Sequence, residues 1–293
     1  AEAVDLVAQV AQVGLVWLIA RRLAVGWDVY TDEDPMDPIP AKSSLLQSHP
    51  PDPALASVPT KKIKVAHHVD QGNELLEVEC FYSLSSPWMY LGGPQLQDIV
   101  RRHHVKLLLK PFDFQAVAPE SGGIPLRTRP EPRQTYHAEE LARWRDYLGM
   151  PLNLQPAHYK PNFSATQTVD PRWNKYPGWM VIAAQLQGHD AFGLSHALLR
   201  ALWAEERDTS DPAVRIAVAD ENGYKGAELQ ALEAASSTQD AYARYTKEAL
   251  EKRIFGSPTL VVDGERFWGQ DRFFFVDRKL ASLRQKRLEK TFR

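Results

Sequence analysis

Cysteine is nearly absent from this 293-residue chain: Cys80 stands alone, which excludes an internal disulfide framework and any metal site built only from cysteines. With no cross-links to require an oxidising compartment, a cytoplasmic location is the expectation. An excess of one charge is missing as well, since 35 Lys and Arg against 37 Asp and Glu leave a net charge of −2. The basic footprint of a nucleic-acid binder is therefore lacking, and no nucleic-acid partner is expected. Long apolar runs are lacking too: Asp5, Gln9 and Gln12 interrupt Ala3 to Ala20, and the clean run Val13 to Ala20 is far short of the ~20 residues of a membrane span. What is there is an ordinary soluble mixture, 44% hydrophobic and 25% charged, sufficient for one large domain or two modest ones.

The first seventy-odd residues differ from the rest. A secretory signal places positive charge before its apolar stretch, whereas here Glu2 and Asp5 come first and Arg21 and Arg22 follow. The stretch reads as a short amphipathic helix, with a membrane-associated anchor as the alternative. Seven of the 21 prolines then fall between Pro35 and Pro59, a composition that favours an extended linker. Residues 1–74 are thus expected to be an extension and linker, with the folded part beginning near Leu75.

From there the periodicity changes. Leu76 to Tyr82 alternates as a strand does, and Val105 to Phe112 contains three consecutive leucines, as in a strand buried on both faces. Between them Leu96, Ile99 and Val100 share one helix face, which completes a right-handed β-α-β unit. Pro94 is expected to kink that helix. After Phe112 a loop rich in Pro, Gly and Arg precedes a series of helical segments: Thr135–Leu148, Asn174–Gln187, Asp190–Arg207, one opened by Ser210-Asp211-Pro212, Ala227–Ala235 and Thr238–Phe255. This block reads as an all-helical insertion with its own core. Strand signals return in Thr259–Val262 and Glu265–Trp268, joined by Asp263-Gly264, a dipeptide suited to the positive φ values of a tight hairpin. A final helix places Phe273, Val276, Leu280 and Leu283 on one stripe. The expected fold is α/β and thioredoxin-like, residues 75–114 and 256–293 forming that domain and 115–255 a large all-helical insertion between the second and third strands.

Three short segments can carry chemistry. The loop leaving the first strand reads Ser83-Leu84-Ser85-Ser86-Pro87-Trp88; Ser86 fits a helix N-cap and Pro87 the first helical position, and that helix end stabilises anions. Gly256-Ser257-Pro258-Thr259 places a proline at a strand entrance, where a cis bond is feasible and would turn the Ser257 backbone toward an extended peptide ligand; a trans turn is the alternative. Phe267-Trp268-Gly269-Gln270-Asp271-Arg272 precedes the last helix, where Asp271 and Gln270 either cap the helix or meet an ammonium or carboxylate group.

Taken together, Phe81-Tyr82 with Ser86-Pro87-Trp88-Met89-Tyr90-Leu91-Gly92, Arg143-Trp144 to Leu148-Gly149-Met150-Pro151, and Phe255 to Thr259 with Asp263 to Arg272 resemble the 2-hydroxychromene-2-carboxylate isomerase family. That family is related to kappa-class glutathione transferases and to disulfide oxidoreductases carrying a helical insertion. The resemblance covers roughly Glu77 to Leu283. It implies that Ser86-Pro87-Trp88-Met89 stands where the oxidoreductases carry Cys-x-x-Cys, so thiol exchange by the protein itself is excluded. It implies glutathione as cofactor, with Ser86 donating a hydrogen bond to its sulfur and Ser85 as the other candidate. Ser257 and a cis Pro258 then hold the tripeptide backbone, and Trp268, Gly269, Gln270, Asp271 and Arg272 the γ-glutamyl end; Gln270 departs from the small polar residue common there. No metal is implied.

The same resemblance implies reversible thiolate addition to a small aromatic carboxylate, converting a cyclic hemiketal into an open aryl-ylidene pyruvate, and a possible homodimer. Lys110, Tyr159 and Asn162 are the substrate-binding candidates, with Arg127, Arg129 and Arg133 as further cations. Two other readings stand beside it: a kappa-like transferase, and a glutathione-binding module in which Ser86 only caps a helix.

Overall fold

The computed structural model describes residues 75–122, 126, 129–159 and 172–291, all within one compact unit spanning Val69–Arg293. The expected leader helix and proline-rich linker lie outside the described residues. The order is β1 (Glu77–Tyr82), α1 (Pro87–His103), β2 (Lys106–Pro111), α2 (Phe114–Glu120), α3 (Glu131–Leu148), α4 (Arg172–Leu186), α5 (Ala191–Trp203), α6 (Pro212–Glu221), α7 (Gly226–Leu232), α8 (Ser236–Glu251), β3 (Thr259–Val262), β4 (Glu265–Trp268), a 3-10 turn (Gln270–Arg272) and α9 (Phe273–Thr291).

The sheet order is β2-β1-β3-β4. β1 and β2 run parallel, Glu77 opposite Lys106 and Tyr82 opposite Pro111, while β3 is antiparallel to both β1 and β4. This is the mixed four-stranded thioredoxin-like sheet expected from the sequence. Both strands of the Asp263-Gly264 hairpin have their expected limits, and its two turn residues adopt positive φ. α1 continues through Pro94 to His103. A short helix in the Pro-rich loop, α2, has no counterpart in the sequence reading; Asp113 caps it by accepting from the Gln115 and Ala116 N–H groups.

Strand alternation divides the core in two. Val78, Cys80 and Tyr82 pack with Met89, Leu96 and Ile99 of α1 and with Phe273, Val276 and Leu280 of α9. Phe81 and Val261 point the other way, toward Phe112, Val117 of α2 and Tyr242, Tyr245 and Ala249 of α8. Full burial of each apolar side chain on the α9 stripe contributes on the order of 1.5–3 kcal/mol.

The helices between β2 and β3 do not keep a core of their own. α4 is buried on nearly all sides: Met180, Val181, Ala183 and Ala184 join the α1 layer, and Ile182 joins the α8 layer. It reads apolar all round because it is wedged between both layers. In α3, by contrast, Leu141 is buried whereas Leu148 is exposed.

Lys110 requires a correction. Its ammonium is held between Glu79 on β1 and Glu248 on α8, over the Phe81 ring, and Glu79 also meets Lys252. Sequence shows a cation near the end of a strand but not carboxylates 31 and 138 residues away that neutralise it. Lys110 is part of the sheet-to-α8 contact and is not a substrate group. Burial opposes both charges, yet the hydrogen bonds that Lys110 donates to Glu248 and Glu79 hold its pKa above its ordinary value, and those that Glu79 accepts from Lys110 and Lys252 hold its pKa below its own.

Two predictions follow from this packing. Because the folded-state pKa of Glu79 is lowered, its contribution is complete above the usual glutamate range and lost as pH falls through the lowered value. Lys110→Met removes the cation shared by two carboxylates; in urea denaturation near pH 7 the variant is expected to lose roughly 2 kcal/mol, less than the ~3–5 kcal/mol of a fully buried pair. Cys80 is wholly buried and burial pushes its thiol pKa up. An aromatic disulfide reagent at pH 8 is expected to leave the native protein unmodified and to titrate one thiol only after unfolding.

Candidate active site at the head of the first helix

The β1–α1 loop is buried, so its backbone groups must find partners within the protein. The Ser83 N–H donates to Ser257 Oγ at 2.8 Å and the Leu84 N–H to Asn174 Oδ1 at 2.8 Å. Ser83 Oγ meets Ser85 Oγ at 2.9 Å and accepts from the Ser85 N–H at 3.2 Å. Asn174 Nδ2 in turn donates to Phe112 O at 2.9 Å. One amide on α4 thus joins the loop to the end of β2.

Sequence reading missed Asn174. It belongs to no motif, and nothing in the sequence sets it apart from the other polar residues of α4.

Ser86 is the N-cap of α1 and Pro87 occupies its first position, as the Ser-Pro pair requires. Ser86 Oγ accepts from the Met89 N–H at 3.3 Å and donates to Ser257 O at 3.2 Å. Both bonds are long, and the hydroxyl stands between the helix head and the second loop. Pro87 has no N–H and the Met89 N–H is capped, which leaves the Trp88 N–H without an intrahelical acceptor. The positive end of a 17-residue helix is concentrated here, with no acidic residue in its first turn to offset it.

The second loop contains the cis Ser257-Pro258 bond. Pro258 O accepts from the Gly269 N–H at 2.9 Å, which fixes the start of the Gly269–Arg272 segment against it. Gly269 has φ 94°, a left-handed conformation suited to glycine. Trp268 is exposed and stacks edge-on against Phe255, its indole lying where a Cβ on Gly256 would be. Asp271 and Arg272 are exposed and paired with each other.

Gln270 is 2% exposed and packs against Gly92, yet its Nε2 has no partner. A buried amide donor left unmade costs about 1–3 kcal/mol, so this group is suited to an acceptor brought by a ligand.

Tyr159 packs edge-on against Trp173 and Trp203, with ring centroids 5.6 and 5.3 Å away. Asn162 and Arg127 lie outside the described residues. Arg133 is exposed on α3, while Arg129 lies just before that helix. Burial, and after it the positive charge of Arg129, lowers the pKa of His137, whose ring stacks on Trp88 at 5.4 Å.

What the cluster offers is a hydroxyl and a free N–H at a positive helix end, a buried amide donor and an exposed Asp-Arg pair. Such a set can hold an extended anionic ligand and stabilise a negative charge beside Ser86. It cannot carry out thiol exchange by itself, since the chain's one cysteine is buried in β1. Among the described residues no group of three or more His, Cys, Asp or Glu could hold a metal ion, and no helix is long and apolar enough to cross a membrane.

Comparison with known proteins gives the same framework. A curated relative, 2-hydroxychromene-2-carboxylate isomerase of Pseudomonas putida, is 22% identical over 207 residues, covering 70% of this chain and 95% of the relative. A solved 2-hydroxychromene-2-carboxylate isomerase superposes with a TM-score of 0.59 at 21% identity, over 73% of this chain and 98% of that one. The cytosolic disulfide reductase DsbM from Pseudomonas aeruginosa, solved with GSH, gives 0.50 at 16% identity over 73% of this chain and all of its own. The model of the DSBA-like thioredoxin domain matches residues 77–281, from the first residue of β1 into α9. With that match spanning most of its length, the chain belongs to the DSBA-like thioredoxin domain family.

Proposed function

We propose that this protein is a glutathione-dependent isomerase that interconverts a 2-hydroxychromene-2-carboxylate-type hemiketal and its open aryl-ylidene pyruvate. The observation that carries the reading is Ser86 Oγ, held at the head of α1 against the cis-proline loop in a chain without an accessible thiol. The isomerase name borne by its relatives supports it. When bound, glutathione supplies the thiolate that adds reversibly to the conjugated carbon and is regenerated.

The residues suit such a group. Gln270 Nε2 lacks an acceptor, and the Asp271-Arg272 pair presents both signs that a γ-glutamyl end carries. Ser257, Pro258, Trp268 and Gly269 form the wall along which a peptide backbone would lie. Of these, the Ser257 carbonyl and the Gly269 N–H already have protein partners, so Gln270, Asp271 and Arg272 are left to provide most of the polar recognition.

Ser86 does its part by moving one proton's direction. With glutathione bound, its hydroxyl would exchange the 3.2 Å bond to Ser257 O for one donated to the sulfur anion. An ordinary thiol titrates near ~8.5, and each unit of lowering requires about 1.4 kcal/mol of preferential stabilisation of the anion. One hydrogen bond to a charged group and a helix end together provide one to two units. No bond between protein and substrate forms.

The competing observation is that Ser86 caps α1, which it would do in a protein with no catalytic role. Ser86→Ala separates the two. The cap alone predicts a loss of about 1 kcal/mol with unchanged turnover. The proposed role predicts, in addition, loss of the thiolate ultraviolet band of added glutathione and a roughly 10- to 100-fold slower isomerisation, the factor set by one to two pKa units. Wild-type protein that generates no thiolate band near neutral pH overturns the proposal. Net glutathione consumption would assign a transferase instead.

A further inference from the structure

The isomerase reading accounts for the sulfur and leaves a second chemical requirement unassigned. Ring opening of a hemiketal moves a proton. The carbon–oxygen bond to the ring oxygen breaks, its electron pair goes to that oxygen, and the adjacent hydroxyl becomes a ketone as it gives up its proton. The ring oxygen ends as a phenol, so the proton lost by one oxygen is gained by the other and nothing external is consumed.

His137 is placed for that transfer. Trp88 lies two residues beyond Ser86, about 3 Å along the helix axis. The imidazole of His137 stacks on the Trp88 indole with ring centroids 5.4 Å apart and planes 23° apart. The histidine belongs to α3, so an element distant in sequence brings a proton-transfer group to the first turn of α1. One ring nitrogen, Nδ1, is buried without a partner, while the residue as a whole is half-buried.

This is a poor arrangement for a residue whose role is only to pack, since a phenylalanine would stack on Trp88 without the unmet nitrogen. It is a suitable one for an acid–base group, because stacking fixes the ring plane while no protein partner holds Nδ1. The charged groups nearest it in α3 and before it are Arg129, which precedes the helix, Arg133 one turn earlier, and Glu140 one turn later, which is paired with Arg143. α1 contributes no acidic residue in its first turn. Burial and the positive charge of Arg129 both keep the imidazole neutral to lower pH than an ordinary histidine.

We propose that His137 is the proton-transfer residue for opening and closing the hemiketal ring, with Trp88 as the aromatic surface on which it is oriented. The inference rests on the isomerase reading of the Ser86 site. In the opening direction the imidazole takes the proton of the hemiketal hydroxyl and returns it to the phenolic oxygen, and closing is the reverse. Arg129 and Arg133 give this side of the site a positive field suited to an anionic aromatic carboxylate.

The test uses His137→Phe, which preserves the stack, and His137→Ala, whose cavity can admit free imidazole. The thiolate band of bound glutathione is expected to be unchanged in both. Isomerisation is expected to slow by about 100-fold, and imidazole is expected to restore part of the rate to His137→Ala but none to His137→Phe. In the wild type the rate falls on the acid side below the usual histidine range, and this limb disappears in His137→Phe. A further measurement needs no turnover: the His137 ring signals in a nitrogen-15 spectrum should shift on adding chromone-2-carboxylate, a planar analogue that cannot open. If both variants keep the wild-type rate and pH profile, or if the ring signals do not respond to the analogue, the inference fails while the Ser86 reading stands. A wild type that shows no isomerisation at all removes the Ser86 reading instead.

Discussion

The turn between β1 and α1 is buried, and a buried turn must satisfy its own backbone. An N–H group left without an acceptor there costs about 1–3 kcal/mol, a large part of the margin by which a domain is stable. The protein meets this demand with side chains from two distant segments: Ser257 accepts from Ser83, and Asn174 accepts from Leu84. The consequence for the site is rigidity. Ser86 is held beside the cis-proline loop, its hydroxyl donating to the Ser257 carbonyl in a bond long enough to be exchanged for one to a ligand. The helix end, the second loop and α4 are therefore locked into one relationship by the same bonds that let the turn be buried.

That relationship suits chemistry with a borrowed nucleophile. The loop presents a hydroxyl and the positive end of a helix where oxidoreductases of this fold carry thiols, while the chain's own thiol lies within β1. A neutral donor at a helix head stabilises an anion that comes and goes, without committing the protein to a covalent step. In the proposed reaction the sulfur and proton chemistry are divided between two sides of α1: Ser86 caps its first residues, and His137 approaches its next residue, Trp88, from α3. The two roles then need only one fixed element between them.

Much of the sheet was legible in the sequence for a local reason. The Asp263-Gly264 hairpin and the alternation of β1 depend on turn chemistry and period-two burial, which are written in consecutive residues. Ser86 and Pro87 were legible in the same way, as a cap and a first helical residue. Lys110 was misread because its neutralising partners sit on another strand and on a helix far along the chain. The separate core expected of the helical block was misread because apolar composition does not say which surface a helix covers; α4 covers two. Asn174 gave no signal, since one buried amide acquires meaning only from the loop it meets.

Sequence alone therefore determined the strands, most of the helices, the cap at Ser86 and the absence of any redox pair, because each rests on neighbouring residues or on composition. Tertiary structure decided that Lys110 is neutralised, that Asn174 and Ser257 hold the turn, and that His137 lies on Trp88. Hydrogen bonds, ion pairs and ring contacts act over a few ångströms of space, and only the folded chain brings residues separated by 31 to 174 positions within that range.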